Sequence, residues 1–404
     1  MTKPSALRPI ISGIGISQIG RRTGIPGLVL TEESVRAAIA DAGLKPSDVD
    51  CIATMGETPP QEVCTALGVE VPTLESGFGH GGLLTPVMSA CDAVTEGRAR
   101  HALVYRTVKM MGGTILPPGE SDGASSAAGR AERAGASRSD SGPGPTPGGA
   151  EGSMAGASDL LANHAYSAAN WLAMHCRRHM HLYGTTREQL GALAVNSRLN
   201  AAKNPLAAYR EPITMGDYFS ARMISEPFGL LDCDVPIDGS IALVVSVPDH
   251  ASHCDHSVRV EAMGGASGQG GWYQRADFPK MASVDAAAEL WSKTDLKPSD
   301  VDFAELYDGF TFLTLAWMEA LGFCRDGESG SFVEGGTRIA LDGELPLNTY
   351  GGQLSAGRMH GYWVIHEACL QLRGQAGDRQ VGRHELAAVA VGGGPIAGCM
   401  LLSN

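Results

Sequence analysis

The chain has 404 residues, 43% of them apolar and 19% charged, so it is long enough for two closely packed halves with large buried cores. The formal net charge is −13 and no basic stripe offsets it, which argues against nucleic acid as a partner. No run reaches the roughly 20 apolar residues that a membrane span needs. Because the start of the chain lacks an apolar signal-peptide region and the nine cysteines are scattered, we expect a cytoplasmic protein with free thiols.

A seven-residue sequence occurs twice, at 44–50 and at 296–302. An alanine-rich helical pattern precedes both copies, and a short apolar run follows both. Identity together with matching flanks indicates an internal duplication. We therefore predict that residues 32–57 and 284–309 fold as the same helix–turn–strand unit and are related by a pseudo-twofold axis.

Glycine clusters at 77–82 and 351–357 form a second, weaker pair of related segments, and each precedes apolar residues at helical spacing. The chain thus reads as two copies of one α/β unit, each with strands, a glycine-rich turn and a core helix. The predicted division is into an N-terminal half, residues 1–256, and a C-terminal half, residues 257–404.

Residues 119–156 differ from the rest of the chain, because Gly, Ser, Ala and Pro dominate them and apolar side chains are almost absent. This composition predicts a flexible surface insertion in the N-terminal half. A lid over a substrate pocket is the functional alternative to a loop without function.

Several further motifs are distributed over most of the chain, apart from the insertion. They are His181 to Gly184, Asn196 to Pro205, Glu226 to Cys233, Asp238-Gly239, Glu305 to Phe310, Gly322-Phe323, Leu345 to Asn348, Gly351-Gly352 and Gln371 to Gly374. Together they resemble the sterol-carrier-protein-type branch of the thiolase superfamily. The resemblance implies a thiolase fold, that is, a duplicated αβαβα five-layer sandwich with pseudo-twofold halves, a homodimeric core and a coenzyme A thioester ligand.

The chain departs from thiolases at the catalytic positions. The nucleophilic cysteine falls at about His80, and Arg358 replaces the histidine of the Gly-His-Pro motif. The acid/base cysteine before the C-terminal glycines is absent from Ala390 to Gly394, and Tyr307 stands where thiolases carry His or Asn. An acyl-enzyme on cysteine is therefore not expected.

The pattern resembles the thiolase-like aldolases that cleave side chains from steroid coenzyme A thioesters, with Tyr307 and Tyr350 matching their two tyrosine positions. The resemblance implies retro-aldol cleavage of a β-hydroxyacyl-CoA to a ketone or aldehyde and a shorter acyl-CoA. It also implies a heterotetramer with a small partner that has an OB fold and a zinc ribbon. No cofactor or metal is expected in this chain, and any zinc would belong to the partner.

A retro-aldol reaction needs two proton transfers, which the two tyrosines can carry out. One proton leaves the β-hydroxyl and another is added to Cα, and a phenol can serve either step if its environment tunes its pKa. A phenolate needs a nearby cation or hydrogen-bond donor, which Arg358 or His360 can supply. Which tyrosine is the base and which is the acid stays open at this point.

Backbone N–H groups of two glycine-rich turns can hold the enolate oxygen. Those turns contain Gly79, Gly81, Gly82, Gly393 and Gly394. His80, in the first turn, is either an oxyanion donor or a loop residue. Asp308 is either part of the site or a cap for a helix that starts near Gly309. The run from His253 to His256 suits no standard zinc site and predicts a polar turn.

Two other functions remain compatible with the sequence. A thiolase-like acyltransferase with a non-standard nucleophile would form a covalent acyl-enzyme. A non-catalytic carrier of lipid or acyl-CoA, within a larger complex, would need none of the tyrosines.

Overall fold

The computed structural model of the chain describes residues 8–74, 77–110, 157–254, 256–267 and 271–404. The predicted insertion at 119–156 lies outside these ranges, and so does Asp255 of the predicted polar turn. Within the described ranges, every helix is too short or too polar to cross a membrane.

The secondary structure alternates strands and helices along most of the chain. The strands are β1 (Ile10–Ile16), β2 (Cys51–Thr54), β3 (His101–Lys109), β4 (Met223–Ser225), β5 (Phe228–Gly229), β6 (Asp238–Ser246), β7 (Val258–Ser267), β8 (Phe303–Leu306), β9 (Leu386–Gly393) and β10 (Ile396–Ser403). The α-helices are α1 (Gly27–Asp41), α2 (Pro60–Leu67), α3 (Thr85–Thr95), α4 (Ala157–Ala162), α5 (Ala168–Tyr183), α6 (Arg187–Ala202), α7 (Met215–Ser220), α8 (Ala282–Ser292), α9 (Thr311–Ala320), α10 (Ser329–Val333) and α11 (Tyr362–Leu372).

The main sheet has eight strands in the order β2-β3-β6-β1-β7-β10-β9-β8, and its two halves have the same topology. In the first half β2 runs parallel to β3, and antiparallel pairs follow between β3 and β6 and between β6 and β1. In the second half β8 runs parallel to β9, and antiparallel pairs follow between β9 and β10 and between β10 and β7. This correspondence confirms the predicted duplication and the α/β class. The halves meet where β1 pairs with β7.

The repeated sequence forms the same structure in both halves, as predicted. Each copy follows a helix, α1 or α8, contains a 3₁₀ turn and leads into a short buried strand, β2 or β8. Asp50 Oδ2 accepts hydrogen bonds from the Arg100 and His101 amides, at 2.6 and 2.9 Å. Its equivalent, Asp302, accepts through Oδ2 from the two residues at the start of β9, at 2.8 and 3.1 Å. The aspartate of the repeat therefore fixes the edge strand of each half, β2 or β8, to its parallel neighbour. The division at 256/257 stays a prediction and falls in the connection before β7.

The two core helices, α3 and α11, contribute to one buried apolar cluster together with strands from both halves. The second core helix starts later than the sequence indicated. A π-helical turn at Gly352–Ala356 follows the glycine pair, and α11 begins only at Tyr362. The reason is local: Gly357 and Gly361 have φ values of 139° and 90°, which no α-helix accommodates.

Candidate active site

Side chains of α6 hold the backbone segment that carries Tyr350. Asn200 Nδ2 donates to the Leu347 and Asn348 carbonyls at 3.1 and 3.2 Å, and Asn204 Nδ2 donates to the Tyr350 carbonyl at 2.9 Å. Gly351 has a φ of 103°, and a Cβ there would lie 2.5 Å from the side chain of Ala201 on α6. The asparagines of the Asn196 to Pro205 motif therefore fix the position of segment 347–357.

Tyr307 directly follows β8 and packs against two buried apolar clusters, each of which combines residues of both halves. Its amide donates to the carbonyl of Ala390 in β9 at 2.9 Å. A Cβ on Gly309 would lie 2.8 Å from the ring of Tyr307, so this ring rests on the Gly309 backbone. The phenol of Tyr307 is thus held half-buried at the junction of the two halves.

Arg358 forms an ion pair with Asp234, with 3.3 Å between Nη1 and Oδ2. The backbone reinforces the pair, because the Arg358 amide donates to the Val235 carbonyl at 2.8 Å. Burial raises the pKa of Asp234 to about 6, and the guanidinium of Arg358 opposes the rise. Asp234 is therefore a carboxylate at neutral pH that titrates just below it.

The environment of Tyr307 keeps its phenol protonated. Burial raises the pKa of Tyr307 well above its usual value, the carboxylate of Asp234 raises it further, and Arg358 opposes both. A protonated phenol beside a carboxylate and a guanidinium is arranged to donate a proton, and the guanidinium is placed to stabilise the phenolate that donation leaves.

Asp308 caps a different element from the one considered in the sequence. Helix α9 begins at Thr311, whereas the Asp308 carboxylate accepts hydrogen bonds from the Gln353 and Leu354 amides at 2.8 and 3.4 Å. A Cβ on Gly352 would overlap this carboxylate. Burial raises the pKa of Asp308 to about 7 although the two amides oppose the rise. Asp308 therefore holds the π-helical turn next to Tyr307 and not the start of α9.

Tyr350 lies close enough to Tyr307 for the two phenols to interact electrostatically. Its ring is fully buried and stacks on Trp363 with 5.3 Å between centroids. Burial raises the pKa of Tyr350 well above its usual value, and the carboxylate of Asp308 adds to the rise. The structure therefore brings the two predicted tyrosines together, and Tyr350 is the more deeply buried of the two.

His360 joins the same region through Arg106 of β3, whose Nη2 lies 2.7 Å from His360 Nδ1. Because a guanidinium only donates, Nδ1 is the acceptor and the imidazole proton sits on Nε2. Burial lowers the pKa of His360 well below its usual value, and the positive charges of Arg106 and Arg358 lower it further. His360 is therefore neutral and offers a hydrogen-bond donor instead of a charge.

Several buried polar atoms around Tyr307 have no hydrogen-bond partner within the described part of the chain. They are the hydroxyls of Tyr350 and Tyr362 and Nε of Arg106. Unpaired buried polar groups are rare because each costs about 1–3 kcal/mol. Such a group of unpaired donors and acceptors beside Tyr307 is what a polar substrate would satisfy on binding.

His80 faces away from this cluster. Its Nε2 lies 2.6 Å from Glu289 Oε2 on α8, and the imidazole is 61% exposed. Burial opposes ionisation of Glu289, yet hydrogen bonds from Lys293, the Gly265 amide and His80 lower the pKa of this carboxyl to about 2. Within the described ranges no contact joins His80 to Tyr307 or Arg358, so the structure does not bring the third predicted catalytic residue to the tyrosines.

The two glycine-rich turns pack tightly against other backbone. The Gly82 amide donates to the Gly79 carbonyl at 3.0 Å, and a Cβ on Gly398 would overlap the Gly81 carbonyl. The Gly394 amide donates to a methionine sulfur at 3.0 Å. Gly393 has a φ of 149° in the turn between β9 and β10. Binding of an enolate oxygen by these turns stays a prediction.

Three comparisons with known proteins bear on the family. Residues 264–402 match the model of the thiolase C-terminal domain-like family. A steroid side-chain-cleaving aldolase of Thermomonospora curvata is 35% identical over 405 residues, which are 97% of each chain. The 17-hydroxy-3-oxo-4-pregnene-20-carboxyl-CoA lyase of Mycobacterium tuberculosis is 33% identical over 97% of this chain and 98% of its own. This chain belongs to the thiolase-like steroid side-chain-cleaving aldolases.

A solved structure supports the assignment at the level of the fold. The structure described as an Ltp2-ChsH2(DUF35) aldolase superposes on this aldolase with a TM-score of 0.84, at 32% identity, and 99% of each chain is covered. The thiolase-like fold and the retro-aldolase class that the motifs indicated are thereby confirmed, and the chain is a carbon–carbon lyase.

Sequence reasoning missed three residues of the candidate site: Asp234, Arg106 and Tyr362. Asp234 directly follows the Glu226 to Cys233 motif, so its place next to a family motif was a usable signal. Arg106 directly follows the apolar run Ala102–Tyr105 of β3, and a charged residue at such a position is unusual. Tyr362 gave no signal, because an aromatic residue at the start of a core helix is ordinarily a packing residue.

Proposed function

We propose that this aldolase cleaves the Cα–Cβ bond of a β-hydroxyacyl-CoA whose acyl group is a steroid side chain. A ketone or aldehyde leaves, and a shorter acyl-CoA remains. The observation that carries the proposal is the Arg358–Asp234 ion pair beside a protonated Tyr307. The names of the two full-length relatives support the substrate class.

The proposed mechanism uses four side chains, two of which transfer protons. The carboxylate of Asp234 takes the proton of the β-hydroxyl, the O–H electrons form the new carbonyl, and the Cα–Cβ electrons pass to the thioester enolate. The phenol of Tyr307 then gives its proton to Cα, and Asp234 returns a proton to Tyr307. Arg358 keeps Asp234 ionised and stabilises the transient phenolate. Tyr350, whose hydroxyl has no partner among the described residues, offers a donor to the enolate oxygen.

Mass spectrometry of a reaction between the purified protein, with its partner, and a β-hydroxyacyl-CoA tests the proposal. We expect the acyl-CoA and the carbonyl product in equal amounts, and no mass added to the protein. An acyl adduct on any side chain would instead support the acyltransferase alternative. Burial argues against that alternative at Cys233, the chain neighbour of Asp234, because burial raises the pKa of this thiol to about 12.

We also propose a homodimeric core that binds two copies of a partner with an OB fold and a zinc ribbon, in the cytoplasm. The support is the similarity to a structure whose description pairs the aldolase with a DUF35 protein. Light scattering after size-exclusion chromatography of co-expressed proteins tests the stoichiometry. A stable, fully active chain without any partner would contradict the assembly.

A further inference from the structure

Tyr209 lies between two arginines on the surface beside segment 347–357. The guanidinium carbons of Arg21 and Arg198 lie 5.4 and 5.3 Å from the centre of its ring. Arg21 Nη1 also donates to the Tyr209 hydroxyl. Arg22 and Arg210 flank this group along the chain and are exposed. We call these five residues the arginine cluster.

The positive charge of the arginine cluster has no carboxylate partner in the described ranges. Among the described residues, no carboxylate oxygen lies within 4.0 Å of a side-chain nitrogen of its four arginines. Arg198 is only 8% exposed, yet its donors reach neutral oxygens alone: Nε to Ser355 Oγ at 3.0 Å and Nη1 to the Glu211 carbonyl at 3.2 Å. A buried guanidinium without a counter-ion is costly, and in a chain of net charge −13 such a cluster is distinctive.

The arginine cluster is linked to the candidate active site through the backbone. The Tyr209 amide donates to the Ser355 carbonyl and the Ala208 amide to the Ala356 carbonyl, both at 3.0 Å. Arg358 comes two residues after Ala356, directly after the end of segment 347–357. The cluster is therefore hydrogen-bonded to the end of the segment that leads into the Arg358–Asp234 ion pair.

We propose that the arginine cluster binds the phosphate groups of the coenzyme A part of the substrate, an inference that rests on the proposed function. Coenzyme A carries a diphosphate and a 3′-phosphate at one end and the thioester at the other. Guanidinium groups match phosphate oxygens in pairs of hydrogen bonds. Arg21, Arg22 and Arg210 are exposed and can contact the phosphates, and Arg198 supplies a fixed charge beside Tyr209.

The test compares the double variant Arg21→Gln/Arg22→Gln with Arg36→Gln/Arg98→Gln, which removes equal charge from exposed positions elsewhere. Each protein receives the same β-hydroxyacyl group on coenzyme A and on pantetheine, which lacks the nucleotide phosphates. We expect the cluster variant to raise KM for the coenzyme A thioester by about tenfold or more, since charged hydrogen bonds contribute about 1.5–3 kcal/mol. Its kcat and its KM for the pantetheine thioester stay as in the control. An equal change with both thioesters, or none, would overturn the proposal.

Binding of 3′,5′-ADP, followed by calorimetry, tests the arginine cluster without turnover. We expect the wild type and the control variant to bind it and the cluster variant to bind about tenfold or more weakly. Equal binding by all three proteins, or complete displacement by the same concentration of inorganic phosphate, would overturn the site. If the wild type cleaves neither thioester but binds 3′,5′-ADP through the cluster, the proposed function fails while the phosphate site stands.

Discussion

Arg358 and Asp234 form a largely buried ion pair, with 3.3 Å between Nη1 and Oδ2, at the point where the two halves of the fold meet beside Tyr307. Arg358 stands where the thiolase pattern has a histidine, and Asp234 comes from the other half of the chain. The pair supplies a carboxylate that titrates near pH 6 and a cation next to a phenol. Proton transfer can thus replace the covalent chemistry of a thiolase at this position.

Replacement of Arg358 by Gln is expected to shift the pH dependence of kcat/KM. Arg358 opposes the burial that raises the pKa of Asp234 to about 6, so its loss raises that pKa further. Because Asp234 must be ionised to accept a proton, the acid limb of the pH profile of kcat/KM should shift to higher pH by about one unit or more. Arg358→Lys keeps the charge and should move the limb less. An unchanged limb in Arg358→Gln would exclude Asp234 as the group that titrates.

Replacement of Asp308 by Asn is expected to change how stability depends on pH. Burial raises the pKa of Asp308 to about 7 in the folded protein, from about 3.9 in an unfolded chain. The folded state therefore binds this proton more tightly than the unfolded state does. The contribution of the proton to the free energy of unfolding is full below about pH 4 and is lost as the pH rises through about 7. Asn does not titrate, so the free energy of unfolding of the variant should rise relative to the wild type from pH 4 to pH 7. Urea unfolding across that range tests this, and parallel profiles for the two proteins would contradict it.

Replacement of His80 by Ala is expected to leave kcat within about threefold of the wild type. The imidazole is mostly exposed and pairs with Glu289, and such a surface pair contributes about 0–1 kcal/mol. Steady-state kinetics of His80→Ala and Glu289→Gln should therefore give similar, small changes. A loss of about 10²-fold in His80→Ala alone would restore His80 to the catalytic set that the sequence predicted.

Replacement of Tyr350 by Phe separates catalysis from packing. The hydroxyl is buried without a hydrogen-bond partner in the described ranges, so its removal should leave the protein as stable as the wild type or about 1–3 kcal/mol more stable. If the hydroxyl serves the enolate, kcat should fall by about 10²–10⁴-fold. Thermal unfolding and turnover are measured on the same preparation. An active and more stable variant would show that Tyr350 only packs against Trp363.

The duplication was readable from the sequence because its markers are local. The repeated aspartates, Asp50 and Asp302, make equivalent hydrogen bonds to the next strand, so the identity of the short repeats reflects one physical requirement. Tyr307 and Tyr350 were also recognisable, since each lies beside a family motif. Local patterns of this kind survive in a single sequence.

The rest of the site was not readable, because it depends on contacts between distant segments. Asp234 and Arg358 are far apart in the chain and meet only when segment 347–357 packs on the strand region before β6. The later start of α11 depends on the left-handed conformation of Gly361, where a Cβ would overlap Val391. The contact of His80 with Glu289 of α8 was not readable either, because it joins a glycine-rich turn to a helix far away in the chain.

The most direct test is the turnover of Tyr307→Phe with a β-hydroxyacyl-CoA, measured beside single cysteine-to-serine variants. Phe keeps the ring on Gly309 and removes only the hydroxyl, so folding and thioester binding should persist. We predict that kcat falls by about 10²–10⁴-fold in Tyr307→Phe, while every cysteine variant keeps near-wild-type turnover. Full activity of Tyr307→Phe, with loss of activity on replacement of one cysteine, would contradict the retro-aldol account and establish an acyltransferase.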